Sequence, residues 1–433
     1  MKKLAGWLCA ALIIISLAGC NREEIPETQP PTPPPTEAVQ RVELELPEDG
    51  RPYVGTELVF ASHLGESDPR ADVLRQAAEV FHTRTGAAVT FRWLDWEDAA
   101  MAAEVAEKGD VDIFSVTVDD LQKNYRYGTL DLTAMAETCG YAEHSYAALR
   151  DQVIERLGFL GAIPQEPVLY GMYYNADTLD KLSVTEYPDT WEDFLTFSDF
   201  LTVRGCKPLT IDYENANVIL ELFLERHYGR TRFAEMMAGA LWTRDMAYIN
   251  LFGLPIDYAA AGYLAKGDPT SFPGGQDKLA LSNVVMTAGS NLLCPQVEES
   301  TGMDLNWGVF PFPGEGEGKG FAAESRVLAI RRESSNAQAA FDFIMLLTTG
   351  SFDQLYADVS LGIPADPANE SAIRGAAQLL QQADSQGFGL LKADHNELFA
   401  RLWSGYYKTP NYFASAMNSR ASAYKIEPEE SVG

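Results

Sequence analysis

Polar side chains that can hold a small ligand follow two of the predicted strands. His63 and Glu66 come after the first strand, and Thr117 and Asp119 come after the third. Carboxylates make strong, charge-assisted hydrogen bonds, whereas hydroxyl and imidazole groups can both donate and accept. Ligands in open α/β sheets bind beyond the carboxyl ends of the strands, so we expect these four residues in a binding site. Two alternatives stay open, because His63 could be a solvated loop residue and Asp119 could cap the next helix.

Motifs for covalent or metal-dependent catalysis are absent from the sequence. It has no His-Glu-x-x-His zinc helix and no Gly-x-Ser-x-Gly nucleophile elbow, and its five histidines lack metal-ligand spacing. The glycine-rich run 314–320 lacks the Ser or Thr of a phosphate loop and carries two glutamates, so we expect a flexible loop. Adjacent acids such as Asp119 and Asp120 could serve a glycosidase, but a chain with 62 acidic residues contains many such pairs.

Alternating strands and helices must position these residues. Apolar runs predict strands and apolar residues at helical spacing predict helices, with Gly86 placed to end one helix and Thr190 to cap another. A strand–helix–strand order implies parallel strands with right-handed crossovers, so the fold class is α/β. The predicted strands are 58–62, 88–93, 111–116, 168–175, 208–211, 284–287, 307–312 and 326–331. The predicted helices are 70–85, 96–108, 119–127, one opening at 189–194, 215–228, most of 236–266, 336–347, 351–359 and nearly all of 368–424.

The N-terminus has the pattern of a secretion signal. Lys2 and Lys3 precede the apolar run 4–18, which is too short to span a hydrocarbon core of about 30 Å. The residues Leu17-Ala18-Gly19-Cys20 resemble the lipobox of bacterial lipoproteins. That resemblance implies cleavage before Cys20 and a diacylglyceryl group on its thiol, and two acyl chains give stable anchoring. The alternative is an ordinary cleaved signal followed by a chance cysteine.

The stretch after Cys20 is predicted to be a tether. Residues 21–55 contain eight prolines with many threonines and glutamates, and they show almost no apolar periodicity. Such a composition cannot bury enough surface to offset the entropy of ordering. At ~3.1 Å per residue, about thirty residues of proline-rich chain reach on the order of 90 Å. We expect no defined structure before Thr56.

Composition limits the remainder of the chain. About 380 of the 433 residues follow the tether, and single cores stop growing near 250–300 residues, so two lobes are expected. The formal charge of -29 becomes -31 without Lys2 and Lys3, which makes nucleic acid a poor partner. Cys139, Cys206 and Cys294 allow at most one disulfide, and free thiols are equally open. No second segment is long and apolar enough to span a membrane.

Several sequence blocks, in this order, resemble the family 1 extracellular solute-binding proteins, the group that includes maltose-binding protein. They are Gly109–Phe114 with Gly128–Leu132, Leu169–Asn175, Asp189–Phe194, Trp307–Pro313, Ala337–Phe341 with Ile344, and Leu361–Pro364. Together they cover nearly all of residues 56–433. The chain departs from the family pattern at 274–281, where it reads Gly-Gly-Gln-Asp-Lys-Leu-Ala-Leu.

The resemblance implies a two-lobe, type II periplasmic-binding-protein-like α/β fold, in which each lobe is a mixed sheet flanked by helices and a hinge joins the two. The implied chain crossings lie near Val168, Phe312 and Pro364. Residues 1–19 are then the signal peptide and residues 20–55 the lipidated cysteine and tether. Lobe I is 56–167 plus 313–363, and lobe II is 168–312 plus 364–433. Closure around a ligand is a hinge motion.

A sugar ligand is implied by the same resemblance, and it needs aromatic faces together with carboxylates or amides. Seven tryptophans and nineteen tyrosines can supply the faces. Besides the four residues above, the implied contacts are Asp212, Tyr213, Trp242, Ser290, Asn291, Glu324 and Trp403. Core packing is the alternative for both tryptophans, and a solvated side chain is the alternative for Glu324.

The function implied is capture of a mono- or oligosaccharide by a lipid-anchored, extracytoplasmic protein that delivers it to an ABC importer. The partners would be two membrane permease subunits and a separate ATPase, with no cofactor, no metal and no catalysis. We expect a monomer. Two alternatives stay open: a lipoprotein sensor or adhesin that presents a ligand to a membrane receptor, and an exported glycoside hydrolase.

Overall fold

The computed structural model describes residues 51–95, 101, 105, 109–211, 213–239, 245–265, 284–385, 389–391 and 395–420. All of them belong to one compact unit, Arg41–Gly433. The predicted signal peptide, Cys20, most of the tether and nearly all of the helix 96–108 lie outside the described residues.

A mixed sheet forms the centre of the described part. Its strands are β1 Glu57–Ser62, β2 Ala88–Trp93, β3 Ile113–Thr117, β4 Ala162–Asn175, β5 Lys207–Thr210, β6 Val284–Ser290, β7 Trp307–Phe310 and β8 Ala322–Ile330. The hydrogen-bonded order is β2-β1-β3-β8-β4-β6-β5, with β7 on β4. β1 runs parallel to β2 and β3, as predicted from the strand–helix–strand order. β8 and β4 are antiparallel to each other, and both belong to the path that joins the two ends of the sheet.

Helices cover the sheet, and the two predicted caps, Gly86 and Thr190, are confirmed. Asp68 accepts a hydrogen bond from the Arg70 N–H before the first helix, and Gly86 ends that helix with a left-handed φ of 85°. Thr190 caps a later helix by accepting from the Asp193 N–H at 3.0 Å. The longer described helices are Pro69–Thr85, Ala147–Leu157, Trp191–Val203, Ala216–Tyr228, Arg230–Gly239, Gly253–Ala260, Leu293–Thr301, Ala337–Thr348, Gly350–Ser360, Asn396–Trp403 and Pro410–Ser419. The shorter ones are Val118–Asp120, which continues as a wider turn over Leu121–Tyr125, Thr133–Thr138, Tyr141–His144, Ala176–Lys181, Met246–Leu251 and Ala376–Gln382.

β4 begins six residues earlier than predicted. Pro164 and Pro167 interrupt the apolar run there, and proline is disfavoured inside strands because it cannot donate to the ladder. The structure accommodates them with a register shift between Pro164 and Glu166, where β4 pairs with β8. The result is a strand of 14 residues that connects two regions of the core.

The buried apolar residues form three clusters. The first includes Phe60, Ile163 and Val327, and the helices Pro69–Thr85 and Ala337–Thr348 pack on it. The second contains Phe223 and Trp403 together with most of the residues between 172 and 264 that are buried. The third includes Leu169, Ala323 and Ile363. β4 therefore passes from the first cluster to the third between Ile163 and Leu169. β8 passes from the third cluster to the first between Ala323 and Val327.

The tail differs from the expectation of nearly continuous helix. Residues 368–375 are not helical. Just before and at the start of this stretch, the buried Asp353 carboxylate accepts the backbone N–H groups of Ala365 and Asp366 and a side-chain N–H of Asn369. These bonds satisfy backbone donors that a helix would otherwise have to pair.

All three cysteines among the described residues are free thiols. No helix within the described ranges has the length and apolarity needed to cross a membrane.

Candidate functional site

Three neighbouring strands, β3, β8 and β4, carry polar residues side by side. These residues lie where β4 and β8 pass from one apolar cluster to another. Glu166 on β4 pairs with Arg326 on β8, and Arg326 pairs with Thr117 at the end of β3. Val168 pairs with Glu324 two positions further along. Residues directly opposite each other in antiparallel strands point to the same face, as do alternate residues of one strand. The register therefore places all five side chains on one face of the sheet.

Glu166 is the centre of a buried hydrogen-bond network. One carboxylate oxygen lies 3.1 Å from His63 Nε2 and accepts a short hydrogen bond from the Tyr356 hydroxyl. The other accepts from Arg70 at 3.2 Å. His63 is 3% exposed, and its Nδ1 lies 2.8 Å from the Ser115 hydroxyl. The alternative of a solvated loop histidine is therefore wrong.

Charge pairing fixes the ionisation of this network. Burial alone would raise the pKa of Glu166, but His63, Arg70 and the Tyr356 hydroxyl hold it well below its usual range. Burial lowers the pKa of His63, with Glu166 opposing the shift. Arg70 is also bound by Asp68 at 2.7 Å, so one guanidinium pairs with two carboxylates. This wall of the site presents paired charges.

Two adjoining cavities lie beside these residues, and Glu166 and Leu292 border both. The larger is about 620 Å³ and lies between the start of helix Pro69–Thr85, helix Leu293–Thr301 and helix Gly350–Ser360. The smaller is about 300 Å³. Its charged lining consists of Asp119, Arg156, Glu166, Glu324 and Arg326. Donors and acceptors thus surround a space that can hold a small polar molecule.

The smaller cavity brings together three of the predicted ligand residues, Thr117, Asp119 and Glu324. Thr117 caps the next helical turn by accepting from the Asp120 N–H at 3.1 Å, so the predicted alternative that Asp119 is the cap is wrong. Asp119 stays largely exposed, 3.9 Å from Arg156. Glu324 accepts a hydrogen bond from the Tyr170 hydroxyl, and burial raises the pKa of its carboxyl.

The other predicted residues are spread around this centre. Asn291 lines the larger cavity, but its amide already accepts from the Leu169 N–H and donates to the Pro167 carbonyl. Ser290 ends β6 and is half-buried, as is Tyr213. Glu66 is mostly exposed, 3.7 Å from Arg75. His63 contacts the site through Glu166.

Trp403 does not reach this site. Its side chain has no exposed surface and packs edge-on against Phe223 and Phe312 in the second cluster. Core packing, the alternative left open by the sequence, is therefore correct for Trp403. Asp212 and Trp242 lie outside the described residues, as do positions 266–283, which include the whole departure from the family pattern at 274–281.

Four residues of the site were not predicted from the sequence: Glu166, Arg70, Tyr356 and Arg156. Glu166 stands before the predicted start of its strand, and its partners Arg70 and Tyr356 are 96 and 190 residues away in sequence. Arg156 is on the last turn of a surface helix, where a basic residue ordinarily serves the helix dipole. The one signal in the sequence that could have pointed to Glu166 is its position as an acidic residue between two prolines.

Within the described part of the chain, no group of three or more His, Cys, Asp and Glu side chains could hold a metal ion. Among the described residues, the one aromatic side chain that lines either cavity is Tyr356, and its hydroxyl is already bonded to Glu166. The arrangement can therefore bind through hydrogen bonds to carboxylates, guanidinium groups and amides.

Residues 68–349 match the family model described as bacterial extracellular solute-binding protein. The chain belongs to this family. The match covers every strand from β2 to β8 and most residues around the two cavities. No curated protein sequence matches the chain significantly.

Solved structures share the fold of this solute-binding protein. The binding protein RafE in complex with raffinose has a TM-score of 0.61 at 16% identity, covering 86% of this chain and 100% of its own. A sugar transporter protein from Bacillus licheniformis, in complex with stachyose, has a TM-score of 0.56 at 15% identity, covering 85% and 100%. A chitin oligosaccharide binding protein has a TM-score of 0.58 at 18% identity, covering 86% and 99%. The fold is the two-lobe, type II periplasmic-binding-protein-like α/β fold, as the sequence resemblance implied.

Proposed function

We propose that this solute-binding protein captures a mono- or oligosaccharide in the two adjoining cavities and delivers it to an ABC importer. The observation that carries the proposal is the lining of the smaller cavity, where Asp119, Glu324, Arg156 and Arg326 surround one space. Carboxylates accept and guanidinium groups donate strong hydrogen bonds, which suits a ligand with many hydroxyl groups. The sugar complexes of structural relatives support this choice of ligand.

The two lobes would meet where the clusters change. On this basis β4 crosses between lobes within 164–168, close to the predicted Val168. The β8 crossing would lie near Ser325 instead of near Phe312, because Phe312 belongs to the second cluster and Val327 to the first. The third crossing would follow Tyr356 and precede Ile373. A ligand that contacts both lobes would shift the open–closed balance by its differential affinity for the two states.

A ligand panel tests the proposal. Purified protein would be heated with sugars, short peptides and polyamines, using raffinose, stachyose and chitin oligosaccharides among the sugars. We expect at least one sugar to raise the melting temperature by mass action, and Glu324→Gln to reduce that rise. A response to spermidine or peptides with none to sugars would overturn the choice of ligand. The bound sugar should be recovered unchanged, because binding alone is proposed.

Membrane anchoring is proposed from the residues 17–20. A lipidated Cys20 would hold the protein at the outer side of the cell membrane, next to two permease subunits that work with a separate ATPase. Fractionation of cells that express Cys20→Ala should find the variant released from membranes. A variant that stays as membrane-bound as the parent would contradict the anchor. The protein would act as a monomer, which sedimentation can check.

A further inference from the structure

Tyr170 lies between two predicted ligand residues. On β4 it pairs with Ser290 of β6, and it is two positions from Val168, which pairs with Glu324 of β8. Alternate and directly opposite residues share a face, so Tyr170, Ser290 and Glu324 point the same way. Tyr170 itself is not among the residues that line either cavity.

The Tyr170 hydroxyl holds one oxygen of Glu324. It donates to Glu324 Oε1 at 2.5 Å. The structure records no hydrogen bond between Glu324 Oε2 and any described residue, and Glu324 lines the smaller cavity. One oxygen is therefore fixed, while the other is available to a molecule in the cavity. A tyrosine ring anchored in the sheet has few rotamers, so the bond restricts the carboxylate more than water would.

We propose that Tyr170 is a positioning residue of the ligand site: its hydroxyl fixes Glu324 Oε1, so that Oε2 faces the ligand in one orientation. The inference rests on the proposed function, because it assigns a role within the same site. It predicts that Tyr170 acts on the ligand solely through Glu324.

The charges around Glu324 give this role a measurable signature. Burial raises the pKa of Glu324, the Tyr170 hydrogen bond lowers it, Asp119 and Glu221 raise it, and Arg156 lowers it. Glu166 and Arg326 border the same cavity. Removing the Tyr170 hydroxyl should therefore move the pKa of Glu324 further up. If binding needs ionised Glu324, the affinity of Tyr170→Phe for the ligand should fall at a higher pH than that of the parent as the solution is acidified.

The test compares Tyr170→Phe, Glu324→Ala and the double variant. Raffinose, stachyose and chitin oligosaccharides serve as probes in calorimetric titrations from pH 4.5 to 8. We expect Tyr170→Phe to weaken the sugar that the parent binds about tenfold at pH 7. In the Glu324→Ala background, where no oxygen remains at position 324 for the Tyr170 hydroxyl to hold, the same change should have no further effect. Carbon NMR of the glutamate carboxyls, assigned with Glu324→Gln, should show Glu324 titrating at higher pH in Tyr170→Phe.

Tyr53→Phe is the matched control, because the Tyr53 hydroxyl donates to Asp342 at the same distance, 2.5 Å, and neither residue lines the cavities. It should leave sugar affinity and the Glu324 titration unchanged. Equal losses in Tyr53→Phe and Tyr170→Phe, or a loss that persists in Glu324→Ala, would overturn the positioning role. If the parent binds no sugar, the proposed function fails, and the NMR titration alone then decides about Tyr170: a shift supports its hold on Glu324, and no shift refutes it.

Discussion

Replacing Glu166 with Gln should destabilise the protein because it removes the charge that His63 and Arg70 face. The side chain is 13% exposed, and its two oxygens contact His63, Arg70 and Tyr356. Breaking a buried ion pair by removing one partner costs about 3–5 kcal/mol. Glutamine can still accept from Tyr356, and Arg70 keeps Asp68, so we expect the lower end, about 3 kcal/mol.

This loss converts to a modest shift in melting temperature. With an unfolding entropy of about 2.1 cal/mol/K per residue, roughly 380 residues correspond to about 0.8 kcal/mol/K. A loss of about 3 kcal/mol then lowers the melting temperature by about 4 °C. Denaturant unfolding followed by tryptophan fluorescence would measure the same difference as a lower midpoint with an unchanged slope.

The difference in stability between the parent and Glu166→Gln should also depend on pH. The pKa of Glu166 is depressed in the folded protein, so its carboxylate stabilises the fold above the unfolded pKa of about 4.3, and that stabilisation is lost as the pH falls below this value. Parent and Glu166→Gln should converge toward pH 3. Glu299→Gln is the control, because Glu299 is an exposed carboxylate at the same cavity. An unfolding midpoint equal to that of the parent, or a deficit that is constant down to pH 3, would refute the reasoning.

Three further changes test other parts of the structure. A Cβ on Gly318 would lie 1.8 Å from the Glu225 carbonyl oxygen, so Gly318→Ala should cost about 2 kcal/mol or more in denaturant unfolding, whereas Gly253→Ala, with its nearest contact at 3.6 Å, should be tolerated. Trp403→Phe should lower the free energy of unfolding by about 1–3 kcal/mol without changing sugar affinity; a tenfold loss of affinity at unchanged stability would contradict its place in the core. Burial raises the pKa of Glu225 to about 7, so its charge is unfavourable in the folded state at higher pH, and Glu225→Gln should stabilise the protein at pH 8 but not at pH 4. A Glu225→Gln variant that is less stable than the parent at pH 8 would contradict the raised pKa of Glu225.

Local sequence signals predicted much of the fold because they act over a few residues. Gly86 was predicted to end the first helix, and the structure confirms it; the N-cap Asp68 and the first helical residue Pro69 were not predicted. The order of the first three strands determined their parallel pairing. β4 was recognised only in its second half, since Pro164 and Pro167 are disfavoured in strands and a register shift compensates for them.

The candidate site was predictable where it depends on strand ends and not where it depends on long-range contacts. Thr117 ends β3 and Asp119 follows it, so a general rule about parallel sheets placed them near the cavity. Glu166 acquires its role from partners on two distant helices, which no local pattern reveals. The glycine-rich run 314–320 lies outside helices and strands, as predicted, but its close approach to the end of helix Ala216–Tyr228 is a tertiary contact that its composition does not reveal.

X-ray scattering by the purified protein, with and without the sugar that stabilises it most, tests whether two lobes close over a ligand. We expect the radius of gyration to fall when raffinose, stachyose or a chitin oligosaccharide is bound, because the two lobes close over it. A radius of gyration that no sugar changes, even at saturating concentration, would contradict capture between two moving lobes.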